Sequence, residues 1–301
     1  MVSTSTRLPI AAHATYFFEG LCQAFNWKDA IKVFCASAAI RKAMLMTVVL
    51  NGGMFLGFLV MMELFYNSPD HHLFGYSYMV WTGYPMYLAC LIVNGRFFQS
   101  ISKETFRLQP SPSIQIDLLG TNQDMTLAVY TTLLYTIFAI FVFLLRLIPI
   151  VGKTISFVAS CIIMSYYCFE YKWTYIGWSK DQSMLFIEKH WAYFLGFGLP
   201  VAALTFFLST LHAGAVFALV YPSLIIIASS ASPKPSMAVY GEPLVSDGPV
   251  YFESWTLPLH IPLFYPVRQM SHLTIYLIKT VGGKKADSIL THKKDIMGKL
   301  V

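Results

Sequence analysis

The sequence predicts an all-α membrane protein. It has about six hydrophobic helices, some readable as half-penetrating hairpins, and cytoplasmic amphipathic helices beside them. Three observations carry this prediction: a starved charge content, long apolar runs, and a lopsided placement of basic residues. Of 301 residues, 56% are hydrophobic and 12% charged, with a mean hydropathy of +0.58. A soluble domain carries about 25% charged residues, so this chain has too little polar surface to dissolve as a globule of its size.

A bilayer core of about 30 Å needs roughly 20 helical residues. Six stretches come near that length: 43–65, with Asn51-Gly52-Gly53 at its middle; 76–94, broken by Gly83 and Pro85; 125–145, the cleanest; 154–171, slightly short; 191–211; and 213–228. The last two are separated only by His212. Pro200 and Pro222 interrupt their hydrogen-bond ladders, and in lipid a freed carbonyl must find another partner. They read either as two spans with a tight turn or as a shallower hairpin.

With six crossings, the 21 basic residues divide very unequally. Only Arg146 and Lys153 fall on one side. Basic residues accumulate on the cytoplasmic side of membrane proteins, which puts both termini in the cytoplasm and favours an even number of crossings. The chain then divides into a cytoplasmic amphipathic segment (1–42), a helical membrane domain (43–228) and a cytoplasmic Pro-rich segment with an amphipathic helix and a basic tail (229–301). In 16–26, Glu19, Gln23 and Asn26 recur at helical spacing opposite Phe17, Phe18, Leu21, Cys22 and Phe25. A second stripe combines Val267, Met270, Leu273 and Leu277. Both read as helices in the membrane interface or packed on the bundle. Seven prolines between Pro233 and Pro266 predict irregular chain there.

Several function classes lack support. The basic excess is scattered between apolar runs, which argues against a nucleic-acid partner. Five cysteines without a C-x-x-C pair suggest neither a disulfide framework nor zinc. Asp70-His71-His72 is the single His/Asp cluster, and it lacks a third metal ligand. No Ser-His-Asp pattern, P-loop, dinucleotide loop or His-Glu-x-x-His motif occurs. The sequence therefore implies no catalytic residue, no metal and no cofactor.

The residues most able to carry function lie between Tyr166 and Pro200. Glu170 and Lys172 sit at the end of the fourth stretch, and Glu188 precedes the fifth. Tyr171, Trp173, Trp191 and Tyr193 read as an aromatic belt that anchors depth. Glu170 reads either as a structural ion pair or as part of a binding site at the cytoplasmic mouth. Gly196, Gly198 and Pro200, spaced by two, suit close helix packing or an unwound, substrate-lining helix. Asn51, Gly52 and Gly53 carry the same alternatives, and Asn51 needs a hydrogen-bond partner on another helix.

Cys168-Phe169-Glu170-Tyr171-Lys172-Trp173, then Glu188-Lys189-His190-Trp191-Ala192-Tyr193-Phe194-Leu195-Gly196-Phe197-Gly198-Leu199-Pro200, resemble the etoposide-induced protein 2.4 family. Tyr221-Pro222, Ile225 to Ala228 and Asn51-Gly52-Gly53 also match. The likeness is good over 165–228 and thinner elsewhere. It implies a multi-pass protein of the endoplasmic reticulum acting in autophagy, with roles in growth suppression and cell death. It also implies distant kinship with bacterial sulfate-uptake proteins that have partly penetrating helices. Only Arg41 and Lys42 stand where animal members carry a longer arginine-rich stretch, so an importin partner is not implied.

Three functions follow as expectations: a scaffold or tether in autophagosome formation and maturation, a channel or transporter for a sulfate-like anion, or a lipid-handling protein. The partners are the lipid bilayer and, for the first function, autophagy or contact-site proteins at the cytoplasmic face.

Overall fold

A computed structural model describes residues 7–66, 72–73, 76–108, 125–176, 178–233, 256–258 and 260–270. The chain opens with a short strand, β1 (Arg7–Pro9), which leads directly into α1 (Ile10–Ala24). After a turn at Phe25 and Asn26 comes α2 (Trp27–Ala36), then α3 (Ala38–Val48). Ser37 separates these two helices. Its backbone is extended (φ −123°, ψ 121°) and its hydroxyl accepts from the Ile40 amide at 3.4 Å, which starts α3. Arg41, one turn later, donates to the carbonyls of Phe34 (3.3 Å) and Cys35 (2.7 Å), closing the C-terminal end of α2.

The first span continues from α3 through a π-helical segment, Val49–Leu56, into α4 (Gly57–Tyr66). The wider π turn coincides with Asn51-Gly52-Gly53, where two glycines weaken the α-helical preference. Asn51 is buried. Its amide donates to the Thr47 carbonyl (2.9 Å) and to Asn94 Oδ1 (2.8 Å), while the Asn94 amide donates back to Asn51 Oδ1 at 2.7 Å. The partner that an asparagine needs inside an apolar span is thus a second asparagine on α5 (Tyr78–Leu108). Gly52 lets Leu219 approach, whereas Gly53 faces open space.

The short strands β2 (His72–Leu73) and β3 (Tyr76–Ser77) pair before α5. Next come α6 (Met125–Arg146), α7 (Gly152–Ile176), α8 (Lys180–Lys189), α9 (Trp191–Thr205) and α10 (Thr210–Ser230). A last strand, β4 (Thr256–Pro258), pairs antiparallel with β1, with Leu8 opposite Leu257. Residues 7–9 and 256–258 therefore meet.

Each apolar stretch is helical over most of its length, but the extents differ from the sequence reading: the second begins with β3, and the fifth leaves its helix after Thr205. Among the described residues, three helical stretches are long and apolar enough to cross a membrane: Ala38–Phe65, Gly152–Tyr175 and Thr210–Ser230. The first starts five residues earlier than its apolar run, because Ser37 rather than Arg41-Lys42 supplies the break. The fourth stretch reaches Ile176, since Glu170 and Lys172 find partners inside the protein. Stretch two runs on past Asn94 to Leu108 as one helix. Helix α9, with 15 residues, extends only about 22 Å, whereas the 21 residues of α10 extend about 31 Å.

Two loops meet at the end of the bundle away from β1 and β4. Arg146, closing α6, donates to the Phe206 carbonyl after α9 and lies 4.3 Å above the Phe206 ring. Leu147, Ile148, Ile150, Phe207 and Leu208 are exposed around this joint. Ile150 has φ 68°, a costly backbone for a β-branched residue.

The core lies where α7, α9 and α10 pack, with α6 completing one side. It is strongly aromatic. Tyr166, Phe169, Tyr193, Phe194, Phe197 and Phe264 are fully buried, and Phe169 meets Phe197, Phe194 and Trp173 at ring separations of 4.8, 5.2 and 5.6 Å. Such offset and edge contacts add to area burial.

The asparagine pair gives a first prediction. Asn51→Leu alone strands the amide of Asn94 and should cost about 1–2 kcal/mol. Asn51→Leu with Asn94→Leu should recover most of that loss. Thermal unfolding of the purified protein in detergent measures both, and additive losses would contradict the pairing.

Candidate functional site

The candidate site grows from the end of α7. Glu170 accepts from the Tyr135 hydroxyl of α6 and from the ammonium of Lys180, the first residue of α8. One carboxylate thus ties three helices. Ser179 starts α8 with a reciprocal capping box to Gln182, which fixes where Lys180 leaves the backbone. Lys172, two residues after Glu170, points to a different neighbour and donates to the Ala231 carbonyl at the end of α10. A cation there satisfies a carbonyl left open by the helix terminus and matches its dipole. Tyr171 is half-buried between them.

Trp173 is buried and stacks on Trp178 with ring planes 4° apart. Tyr193 is also fully buried. These two do not form the membrane-facing belt that the sequence suggested. Close helix packing draws them into the protein, and only Trp191 remains half-exposed among the indoles of the motif.

Glu188, near the end of α8, has no exposed side-chain surface. It accepts from the Phe264 amide (2.7 Å), the Arg268 guanidinium (3.3 Å) and the His260 ring (3.2 Å), while its own carbonyl accepts from the Ile261 amide at 3.2 Å. The segment from 260 to 268 is therefore bound around one carboxylate. Its helical turn at 265–270 is the start of the predicted C-terminal amphipathic helix; Leu273 and Leu277 lie outside the described residues. Trp191 continues the binding by donating to the Pro258 carbonyl at 3.2 Å. His13 of α1 stacks on Trp191 at 4.8 Å. Burial holds the His13 pKa below its ordinary value, opposed by a hydrogen bond with the backbone at Leu257.

Glycines set the closeness of these helices. A methyl group on Gly196 would collide with the Phe17 carbonyl of α1, and one on Gly20 with the Tyr193 carbonyl of α9. These two glycines form a reciprocal crossing. A methyl on Gly198 would collide with the Cys161 carbonyl of α7. A spacing of two places Gly196 and Gly198 on nearly opposite sides of a helix, so α9 is clasped from both. Ser165 of α7 donates to the Phe194 carbonyl at 2.5 Å. Pro200 lies inside α9 without ending it. On the α1 side, the Tyr193 hydroxyl donates to Gln23 (2.6 Å), which also accepts from the Ser232 amide (3.0 Å).

Glu170, Lys172, Trp173, Glu188, Trp191 and Tyr193 thus gather at one end of the bundle, with Gly196 and Gly198 further along α9. Asn51 and Gly52 lie apart, between α5 and α10. The sequence reading missed Tyr135, Lys180, Asn94, Gln23, His260 and Arg268. The i, i+4 face shared by Glu19 and Gln23 was visible, but its direction was not: Gln23 points inward. Nothing in sequence spacing connects His260 or Arg268 to Glu188. Among the described residues, no group of three His, Cys, Asp or Glu side chains is placed to hold a metal; Asp70 and His71 lie outside them. The charged groups of the site engage each other and the backbone, and what they do chemically is hold the helices and the segment 260–268 together.

This architecture defines an α-helical membrane protein whose polar residues serve helix closure. A family described as "Sulfate transporter CysZ/Etoposide-induced protein 2.4" matches residues 26–229. The chain belongs to that family, as the motif at Glu170 to Pro200 anticipated. Among relatives, the "Protein EI24 homolog" of Dictyostelium discoideum is 30% identical over 258 residues, covering 82% of this chain and 79% of the relative. The "Protein EI24 homolog" of Arabidopsis thaliana is 28% identical, covering 52% and 56%. "Ectopic P granules protein 4" of Caenorhabditis elegans is 28% identical, covering 59% of each chain. The chain thus spans little more than half the length of these last two. No solved structure matches it.

Two predictions follow. Glu188→Ala removes the acceptor for Phe264 and Arg268 and should cost about 3 kcal/mol, with faster amide exchange confined first to 260–268. Unchanged exchange there would disprove the clasp. The His13 contact should weaken on acidification. A buried neutral histidine with a lowered pKa takes up its proton less readily than the released one, so its contribution is full above about pH 6.5 and fades below. Tryptophan emission against pH should show a step in that range that His13→Phe removes.

Proposed function

We propose that this protein is a multi-pass membrane protein of the endoplasmic reticulum that acts in autophagosome formation and maturation as a scaffold or tether. The observation that carries this reading is the closed packing of α9, clasped between α1 and α7 through Gly20, Gly196 and Gly198. A helix gripped on both sides supports a solid framework more than a moving or substrate-lining element. A relative named for ectopic P granules, granules found out of place, fits a part in autophagic clearance.

The topology proposed with it has both termini in the cytoplasm and an even number of crossings. The β1–β4 pair supports that parity, because residues 7–9 and 256–258 touch and so lie on one side of the bilayer. The basic residues favour that side being cytoplasmic. On this reading the polar clasp of Glu170 and Glu188 faces the cytoplasm, where autophagy or contact-site proteins would engage the flanking segments.

The second reading is transport of a sulfate-like anion. It draws on the family description and on the π turn at Asn51, since such turns concentrate at functional sites. The Asn51 and Asn94 amides, however, already bond each other.

Two measurements separate these readings. Deleting residues 229–301 should abolish autophagic flux in cells while the protein still inserts into the endoplasmic reticulum; normal flux after deletion defeats the scaffold. Reconstituted liposomes should stay tight to sulfate. A sulfate flux blocked by Gly198→Leu would establish transport instead.

A further inference from the structure

Helices α1 and α2 turn their apolar sides away from the protein. On α1, His13, Gly20 and Ala24 are buried and the polar Gln23 bonds inward, while Phe18 is 60% exposed and Phe25, in the turn that follows, 57%. On α2, Ala30 is buried and Ile31 is 58% exposed, with Trp27 and Phe34 outward beside it. Residues 27, 31 and 34 recur at i, i+4 and i+7, which makes one stripe. Turning a half-buried glutamine inward while exposing phenylalanines inverts the arrangement that water favours.

Two observations say what covers this surface. The stripe runs into an established lipid-facing surface: past Ser37 the exposed residues become Leu45, Met46, Val48 and Val49 of the first span, and Arg41 caps α2 from within that span. Helix α2 is thereby held at the level where the span enters the bilayer. Its flanks are basic. Lys28, Lys32 and Lys42 are exposed, and the single acidic residue of α2, Asp29, offsets one of them through a 3.5 Å contact with Lys32.

We infer that the outer faces of α1 and α2 are seated in the leaflet on the side where the chain begins. Phe18, Phe25, Trp27, Ile31 and Phe34 lie among the acyl chains, and Lys28, Lys32 and Lys42 meet anionic phospholipid headgroups. An amphipathic helix in the interface is stabilised by both terms, apolar burial and attraction to anionic lipid. The helices so placed occupy area in one leaflet only. This inference depends on membrane insertion and on neither proposed activity, so it stands or falls separately from the autophagy reading.

The chain supplies its own reporters. Cys22 and Cys35 are exposed on these same faces, whereas Cys90, Cys161 and Cys168 are buried. The full-length protein is labelled at Cys22 or Cys35 with an environment-sensitive fluorophore. It is then placed in nanodiscs of phosphatidylcholine with or without phosphatidylserine. Quenching is compared between lipid-borne nitroxide and aqueous iodide. The expected result is quenching by the lipid probe, shielding from iodide, and deeper seating as phosphatidylserine is added. Lys28→Gln with Lys32→Gln changes only exposed side chains and should reduce the phosphatidylserine effect on seating about thirtyfold, the effect of two lysines at an anionic surface. Quenching by iodide instead would overturn the inference. Shielding from both probes would also overturn it, pointing to a protein partner or a second copy. A wild-type signal indifferent to phosphatidylserine would overturn the assignment of the lysines.

Discussion

The arrangement of this protein depends on one steric constraint, the absence of side chains where α1, α9 and α7 touch. Gly20, Gly196 and Gly198 bring backbone against backbone, which puts the Phe194 carbonyl within reach of Ser165 and the Tyr193 hydroxyl within reach of Gln23. In lipid, where apolar surface alone gives helices no reason to associate, such close contact and its hydrogen bonds provide the attraction. The polar clasp is downstream of it. Glu188 and Trp191 bracket the start of α9, so their grip on residues 258–268 presupposes that α9 is already locked in place.

The two motif carboxylates solve one problem in different ways. Each would be costly alone at low dielectric. Glu170 spends its acceptors on two side chains, the Tyr135 hydroxyl and the Lys180 ammonium, and so joins neighbouring helices. Glu188 takes a backbone amide together with Arg268 and His260, and so joins a helix to a segment more than seventy residues away. The first contact makes the bundle. The second brings residues 260–268 onto it, next in sequence to the strand β4 that pairs with β1.

What was legible in the sequence follows from locality. Apolar runs report lipid directly, so the apolar helices of the membrane region were visible, as was the need of Asn51 for a partner; the polar helix α8 was not. The glycines at 196 and 198 announced a close approach. What they approached was not visible, because α1 and α7 reach α9 through contacts far apart in sequence. The same limit hid Asn94, which looked like the polar end of a span although its helix continues to Leu108. It also misdirected Trp173 and Tyr193: aromatic residues near a membrane boundary serve equally as anchors or as core, and only the glycine crossing decides between these. Helix boundaries shifted for a related reason. Arg41 and Lys42 looked like the edge of the first span, but Arg41 spends its charge on the end of α2, and the helix of the span has begun by then.

The same reasoning bears on the inverted amphipathicity of α1. A helix in water buries its phenylalanines and shows its glutamine, so a single side chain oriented otherwise demands a specific inward partner. Gln23 has two, Tyr193 and the Ser232 backbone, and together they fix the rotation of α1 about its axis. With Gly20 set against α9 and Gln23 against the end of α10, Phe18 and Phe25 have no direction left but outward. The apolar exposure of the N-terminal region is therefore a consequence of the polar contacts beneath it. An environment that covers phenylalanine on the outside lets those inner contacts persist, and the bilayer next to the first span is such an environment.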